Sequence, residues 1–197
     1  MKRAIAVIML SGWLSLAFAD TCGETSTTAI PNQDGDIVVR IESGSPEGSG
    51  KKRIECVATL TKWDSKEQSY KFLRRLTLRN PIRPSTAVIT NDGQFLVTFD
   101  DYCEMGRISN TVVIYDLQQG TSQAHALEDF LPPSYRKTLK DSISNTFWRG
   151  DPSVEKWVHP HTVYVSSPGD NDGHDAYIVI DAEKNTITLE KGAERKP

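Results

Sequence analysis

The sequence predicts a mainly β fold built from antiparallel meander units. Three observations carry this reading: short β-branched and aromatic runs, turn residues between them, and one strand–turn–strand theme that recurs along the chain. The clearest stretch runs from Ala87 to Leu127. It reads Ala87-Val-Ile-Thr90, Asn91-Asp92-Gly93, Gln94 to Asp100, a polar loop, Thr111 to Asp116, Leu117 to Gly120, and Thr121 to Leu127. Asn91-Asp92-Gly93 suits a tight hairpin, because Asn and Gly tolerate positive φ. In the next strand Phe95, Val97 and Phe99 share one face and Leu96 and Thr98 the other. Both faces are largely apolar, as in a strand interior to stacked layers. Val113, Tyr115 and Leu117 against Val112 and Ile114 repeat the pattern. Asp116 opens the following turn by accepting nearby amides, and Gly120 closes it in the left-handed region.

The same theme returns near the end. Ala176 to Asp181, Ala182 to Asn185 and Thr186 to Leu189 align without a gap on Thr111 to Ala124, so that Asp181 matches Asp116 and Asn185 matches Gly120. Asn is the replacement expected where a left-handed backbone is required. A fainter copy runs from Cys56 through Trp63-Asp64 and Ser65 to Gln68 into Tyr70-Lys-Phe-Leu73. The chain thus contains three related units, roughly fifty to sixty-five residues apart, a period typical of repeat arrays.

Taken in order, residues 1–19 read as a signal peptide. Lys2 and Arg3 form a basic start, Ala4 to Phe18 an apolar run, and Ala17-Phe18-Ala19 a small-x-small cleavage site. Residues 20–35 are expected to be a polar N-terminal arm. Residues 36–197 form a single β-rich domain of three units at about 36–80, 85–127 and 161–190, with a helical insert at 128–150. Ile37 to Ile41 is a strand, Ser43 to Gly50 a flexible loop, and Ile54 to Lys62 with Tyr70 to Leu78 a hairpin. Pro81 and Pro84 interrupt the sheet. One short helix is expected near 132–143: acidic residues precede it, Pro sits in its opening turn, and Tyr135, Leu139 and Ile143 form a stripe. Thr146 to Gly150 reads as a short strand, and Thr162 to Ser166 as another leading into the loop Pro168 to Gly173.

A net charge of −3 over 197 residues argues against nucleic-acid binding or a polybasic membrane contact. The basic group Lys71, Arg74, Arg75, Arg79 and Arg83 reads as a solvated strand face. After signal cleavage no membrane insertion is expected, and the chain is placed in the periplasm or outside a bacterial cell. Three cysteines in an exported chain allow one disulfide. A Cys22–Cys56 bridge would tie down the arm, and pairings through Cys103 stay open.

The run Thr90 to Asp100, with Val112-Val-Ile-Tyr-Asp-Leu117 and the later Gly120, resembles blades of β-propeller proteins of the WD-repeat and lactonase-like kind. The stretch through Leu131 to Tyr135 and Ser144 to Arg149 is similar to a set of exported bacterial proteins. Three units fall short of the four to eight blades of closed propellers, which leaves an open or partial array, a sandwich, or closure by oligomerisation. The resemblance implies a loop-displaying scaffold. The expected role is therefore a non-catalytic binding or interaction module, whose partner would be another protein or a second copy of the chain. The alternative is a metal-dependent hydrolase or lactonase-like enzyme of the propeller type.

Candidate ligand contacts are Asp100, Asp101, Glu104 and Arg107, charged residues in the loop after the central strand, and the neighbouring pair Trp148 and Arg149. A Trp in a β protein is more often a core residue, and Trp148 fits that position too. Asp170, Asp172 and Asp175 are a candidate calcium loop, although Asp175 stands where an EF-hand needs Gly and no Glu stands at the twelfth position. No other cofactor is indicated. His159 and His161, with His125 or His174, lack a standard zinc spacing. No nucleophile motif marks a catalytic residue.

Overall fold

Three four-stranded antiparallel meanders make up the fold. The computed structural model describes residues 27–45, 54–102, 104–142, 145–150, 157–168 and 174–194, without the side chains at 157–159, 174–175 and 191–194. Sheet 1 comprises β1 (Thr28–Pro31), β2 (Ile37–Glu42), β3 (Val57–Asp64) and β4 (Ser69–Thr77). Sheet 2 comprises β5 (Pro84–Ile89), β6 (Phe95–Asp101), β7 (Val112–Asp116) and β8 (Thr121–His125). Two single-turn helices come next, α1 (Leu127–Phe130) and α2 (Pro133–Arg136), and then a ribbon of β9 (Lys140–Asp141) and β10 (Thr146–Phe147). Sheet 3 comprises β11 (Trp157–His159), β12 (Thr162–Ser167), β13 (His174–Asp181) and β14 (Thr186–Glu194). The blade-like meander reading holds; the sheets form an open stack with no closed barrel. Among the described residues no helix is long and apolar enough to cross a membrane.

The repeated turn is one physical device used three times. Asp64, Asp116 and Asp181 each close a strand and pair with Ser69, Thr121 and Thr186 across the hairpin. In each turn the aspartate Oδ1 accepts amides two or three residues on, at 2.9 Å from Lys66, 2.8 Å from Gln119 and 2.9 Å from Lys184. The fifth residue then takes the left-handed backbone: Gln68 at φ +49°, Gly120 at +71° and Asn185 at +53°.

Sheet 2 sits in the middle because its central strands are apolar on both faces. All seven residues of β6 are buried. Phe95, Val97, Phe99, Val112 and Ile114 pack toward sheet 3, together with Trp148 and the two helices. Leu96, Val113 and Tyr115 pack toward sheet 1, against Ile37, Val39, Ile41 and Leu60. Each such large side chain contributes about 1.5–3 kcal/mol on burial. The first strands of sheets 1 and 2, β1 and β5, lie side by side, and Arg83 Nη1 donates to Thr28 Oγ1 at 2.8 Å between them.

Two expectations are corrected. Within the expected arm, Thr28–Pro31 is a full strand of sheet 1. Ile30 packs on the core, and Asn32 Oδ1 accepts the Ile37 amide at 3.0 Å, which fixes the turn that a polar composition had disguised. The helix expected near 132–143 is shortened to the single turn α2, with Lys140 already in a strand, and a second turn, α1, lies before it. Leu131 and Pro132 each precede a proline and are extended, with ψ 122° and 147°, because the following ring disfavours the α conformation.

Replacing Gly120 by Ala, where no neighbour would touch the new methyl, should cost about 1 kcal/mol, the penalty of the left-handed backbone alone. The opposite change, Gln68→Gly, should leave stability unchanged or raise it by up to about 1 kcal/mol. Urea denaturation of both variants measures the two.

Candidate functional site

The loop between β6 and β7 is anchored by Asp100, the second-last residue of the fully buried β6, which is left-handed (φ +47°). That kink turns its carboxylate into the protein. Oδ1 accepts from the Gly106 amide at 2.7 Å and from Trp148 Nε1 at 3.0 Å, and Oδ2 accepts from Arg149 Nε at 2.9 Å. The two charged side chains are 0% and 4% exposed. Arg149 also donates to Ser85 Oγ at 2.6 Å and to the Gly150 carbonyl at 3.1 Å. Its guanidinium lies 5.6 Å from the centres of both the Phe99 and Trp148 rings. Gly106, at φ +68°, admits no side chain, since a Cβ would stand 2.8 Å from the Trp148 ring.

Three of the six predicted contact residues, Asp100, Trp148 and Arg149, therefore meet in one closed network. Burial pushes the Asp100 carboxyl up, against the opposing pull of Arg149, Trp148 and the Gly106 amide. Almost wholly buried, this group clamps the post-helical segment onto sheet 2.

Asp101 is buried beside it and accepts from Asn80 Nδ2 at 2.7 Å. Burial lifts its pKa to about 6, and the charges of Glu104 and Asp100 add to the rise. Glu104 is joined to Asp101 by a backbone bridge. Arg107 reaches away to the ribbon, donating to the Ser142 carbonyl at 2.6 Å and lying 3.7 Å from Asp141.

Cys56 is buried and without a disulfide partner among the described residues, and burial raises its thiol pKa to about 11. Its expected partner Cys22 lies outside the described residues, as does Cys103. Of the calcium loop, Asp170 and Asp172 lie outside the described residues, and Asp175 is described only by its backbone in β13. Among the described residues no group of three or more His, Cys, Asp or Glu side chains is disposed to hold a metal.

Two features escaped the sequence. At the turn end of sheets 2 and 3, His161 bridges Asp92 and Glu183, with Nε2 at 2.8 Å and Nδ1 at 3.1 Å, and its ring stands edge-on to Phe95. Burial pulls the His161 pKa down, but hydrogen bonds and charge from the two carboxylates outweigh it and leave it raised. Both ring nitrogens are engaged, so the imidazole fastens two sheets together. Beside it lies a polar groove of about 250 Å³, lined by Asp116, Gln119, Gln123 and Asn185 among others.

The second feature is aromatic. Trp63, Tyr70 and Phe72 share the outer face of sheet 1 and are 42%, 46% and 66% exposed. By the repeat, Trp63 matches Tyr115 and Ile180, which are 3% and 0% exposed within the stack. Phe72, opposite Thr61, matches Ala124 opposite Val113 and Leu189 opposite Ile178. A repeat alignment carried as far as the burial of each copy is the signal that would have found this patch. Compared with known proteins, the chain matches no protein-family model and no curated sequence at a significant level.

Asp100→Asn should cost about 3–5 kcal/mol, because it leaves the Arg149 charge buried without its counter-ion; chemical denaturation reads this directly. The pH dependence has a definite sign. The raised groups His161 and Asp101 contribute stability that is full below their ordinary values of 6.5 and 3.8 and is lost as pH rises through their folded values. Asp92 and Asp181, hydrogen-bonded and lowered from 3.8, contribute stability that is lost on acidification through their folded values. The melting temperature should therefore fall as pH rises from about 4 to 6 through Asp101, and again above 6.5 through His161. Asp101→Asn should flatten the first decline and His161→Gln the second.

Proposed function

We propose that this chain is an exported, non-catalytic interaction module, and that the outer face of sheet 1 is its contact surface. One observation carries the reading. The face exposes Trp63, Tyr70 and Phe72 together, whereas the matching Tyr115 and Ile180 are buried against a preceding sheet and Ala124, Ile187 and Leu189 are partly buried there. Clustered aromatic residues of this kind are characteristic of interface centres. Arg40 and Arg75 lie beyond them on the same face and share Glu42, at 3.0 and 3.8 Å, as a polar rim would. The acid and base groups toward the other end of the strands support the same reading, since Asp100 and Arg149 satisfy each other inside the fold. Export rests on the basic-apolar-small pattern of residues 1–19.

Two measurements test this. In hydroxyl-radical footprinting, Trp63, Tyr70 and Phe72 should be labelled less in a native extract than in the purified chain diluted until light scattering gives the mass of one copy, with Phe147 unchanged between the two. Unaltered labelling of the three would sink the assigned surface. The purified chain should also fail to turn over lactone and ester substrates, with or without added calcium. Calcium-dependent turnover would overturn the non-catalytic reading in favour of a hydrolase.

A further inference from the structure

The two contacts inside the molecule are the same contact made twice. In sheet 2 the face bearing Tyr115 and Val113 packs on the face of sheet 1 bearing Leu60. In sheet 3 the face bearing Ile180 and Ile178 packs on the face of sheet 2 bearing Ile114 and Val112. Counted from the turn aspartate, one face holds the residues one and three places before it, and the other holds those two and four places before it. Each sheet thus sets its first kind of face on the second kind of its predecessor.

Among the described residues one face of each kind is left over. Sheet 1 keeps its first kind open, with Trp63 and Phe72. Sheet 3 keeps its second kind uncovered by another sheet, with Val179 half-buried and Tyr177 38% exposed where its counterparts Leu60 and Val112 are buried.

We propose that these two end faces meet between two copies of the chain, each copy's sheet 1 stacking on the other's sheet 3, so that six sheets close into a ring. The proposal rests on the reading of sheet 1 as a contact surface and names its occupant. Four observations favour a second copy. The open faces are the matching halves of a contact the chain already makes twice. Their charges are opposite, with Arg40 and Arg75 over a shared Glu42 on one and Glu190, opposite Tyr177, on the other.

The area is also sufficient. A four-stranded face about six residues long covers ~400 Å², so the four faces of a closed pair bury ~1,600 Å², the standard size of a specific interface. Finally, two copies of three sheets give six, within the range of about four to eight in which such arrays close. A pairing of sheet 1 with sheet 1 would instead set Arg40 and Arg75 against themselves.

The test is the mass of the purified chain in solution, by light scattering after size exclusion. Wild type should have twice the chain mass. Phe72→Asp and Tyr177→Lys, both at exposed positions and checked for wild-type circular dichroism, should each be monomeric. Mixing the two variants should restore a dimer, since one intact face of each kind remains between them.

A monomeric wild type, or an assembly larger than a dimer, would overturn the closed pair. So would a Tyr177→Lys variant that stays dimeric while Phe72→Asp does not, because that pattern means sheet 1 meets itself. A monomer whose Trp63, Tyr70 and Phe72 are still protected in extract would keep the contact surface and exclude the second copy as its occupant.

Discussion

Two-sided burial of sheet 2 is the constraint that dictates the architecture. Strands β6 and β7 carry apolar side chains on both faces, and a sheet of that kind is unstable until something covers each side. Sheets 1 and 3 provide that cover, from residues before and after it in the chain. Because they are copies of the same meander, they can do so with one packing geometry used twice. The same logic explains the alternation in the flanking sheets, where β2 buries Ile37, Val39 and Ile41 inward and turns Val38 and Arg40 outward.

The opposite ends of the strands are joined by different chemistry. At the turn end, short hydrogen-bonded aspartate turns repeat, and His161 fastens sheet 3 to sheet 2 through two carboxylates. At the other end the connections are long, and the chain leaves sheet 2 through two helical turns and a ribbon before returning. Asp100 and Arg149 hold that excursion in place. Buried charge of this kind adds little net stability compared with an apolar pair. It does place a geometric demand on the segment, because only one approach satisfies the Trp148 indole, the Gly106 amide and the guanidinium together. The apolar faces hold the stack together, and the polar cluster sets where the insert sits.

Within the candidate site, the residues nearest in sequence separated in space. Asp100 turns inward while Glu104 and Arg107 remain at the surface, since a left-handed residue at the end of a strand redirects the chain after it. Trp148 and Arg149, far along the chain, complete the network instead. Charge in a loop is ambiguous in a sequence: the same Asp serves a ligand or an internal arginine, and only the distance to that arginine separates the two. The aromatic patch was hidden for the complementary reason. Trp63, Tyr70 and Phe72 read as core residues by type, and their exposure is a property of sheet order rather than of local pattern.

The sequence by itself determined the strands, the repeated aspartate turn with its left-handed fifth residue, and the presence of three related units. Those depend on side-chain alternation and backbone sterics within a few residues, which the letters carry directly. It also misled locally, where the stripe of Tyr135, Leu139 and Ile143 suggested one helix although the chain is a strand by Lys140, and where Thr28–Pro31 hid a strand in polar composition. Which sheet lies in the middle, which carboxylate meets Arg149, and which aromatic face is left uncovered were decided only by the tertiary structure. Each of these depends on contacts between residues some tens of positions apart, and such contacts depend on how the sheets stack, which no local pattern encodes.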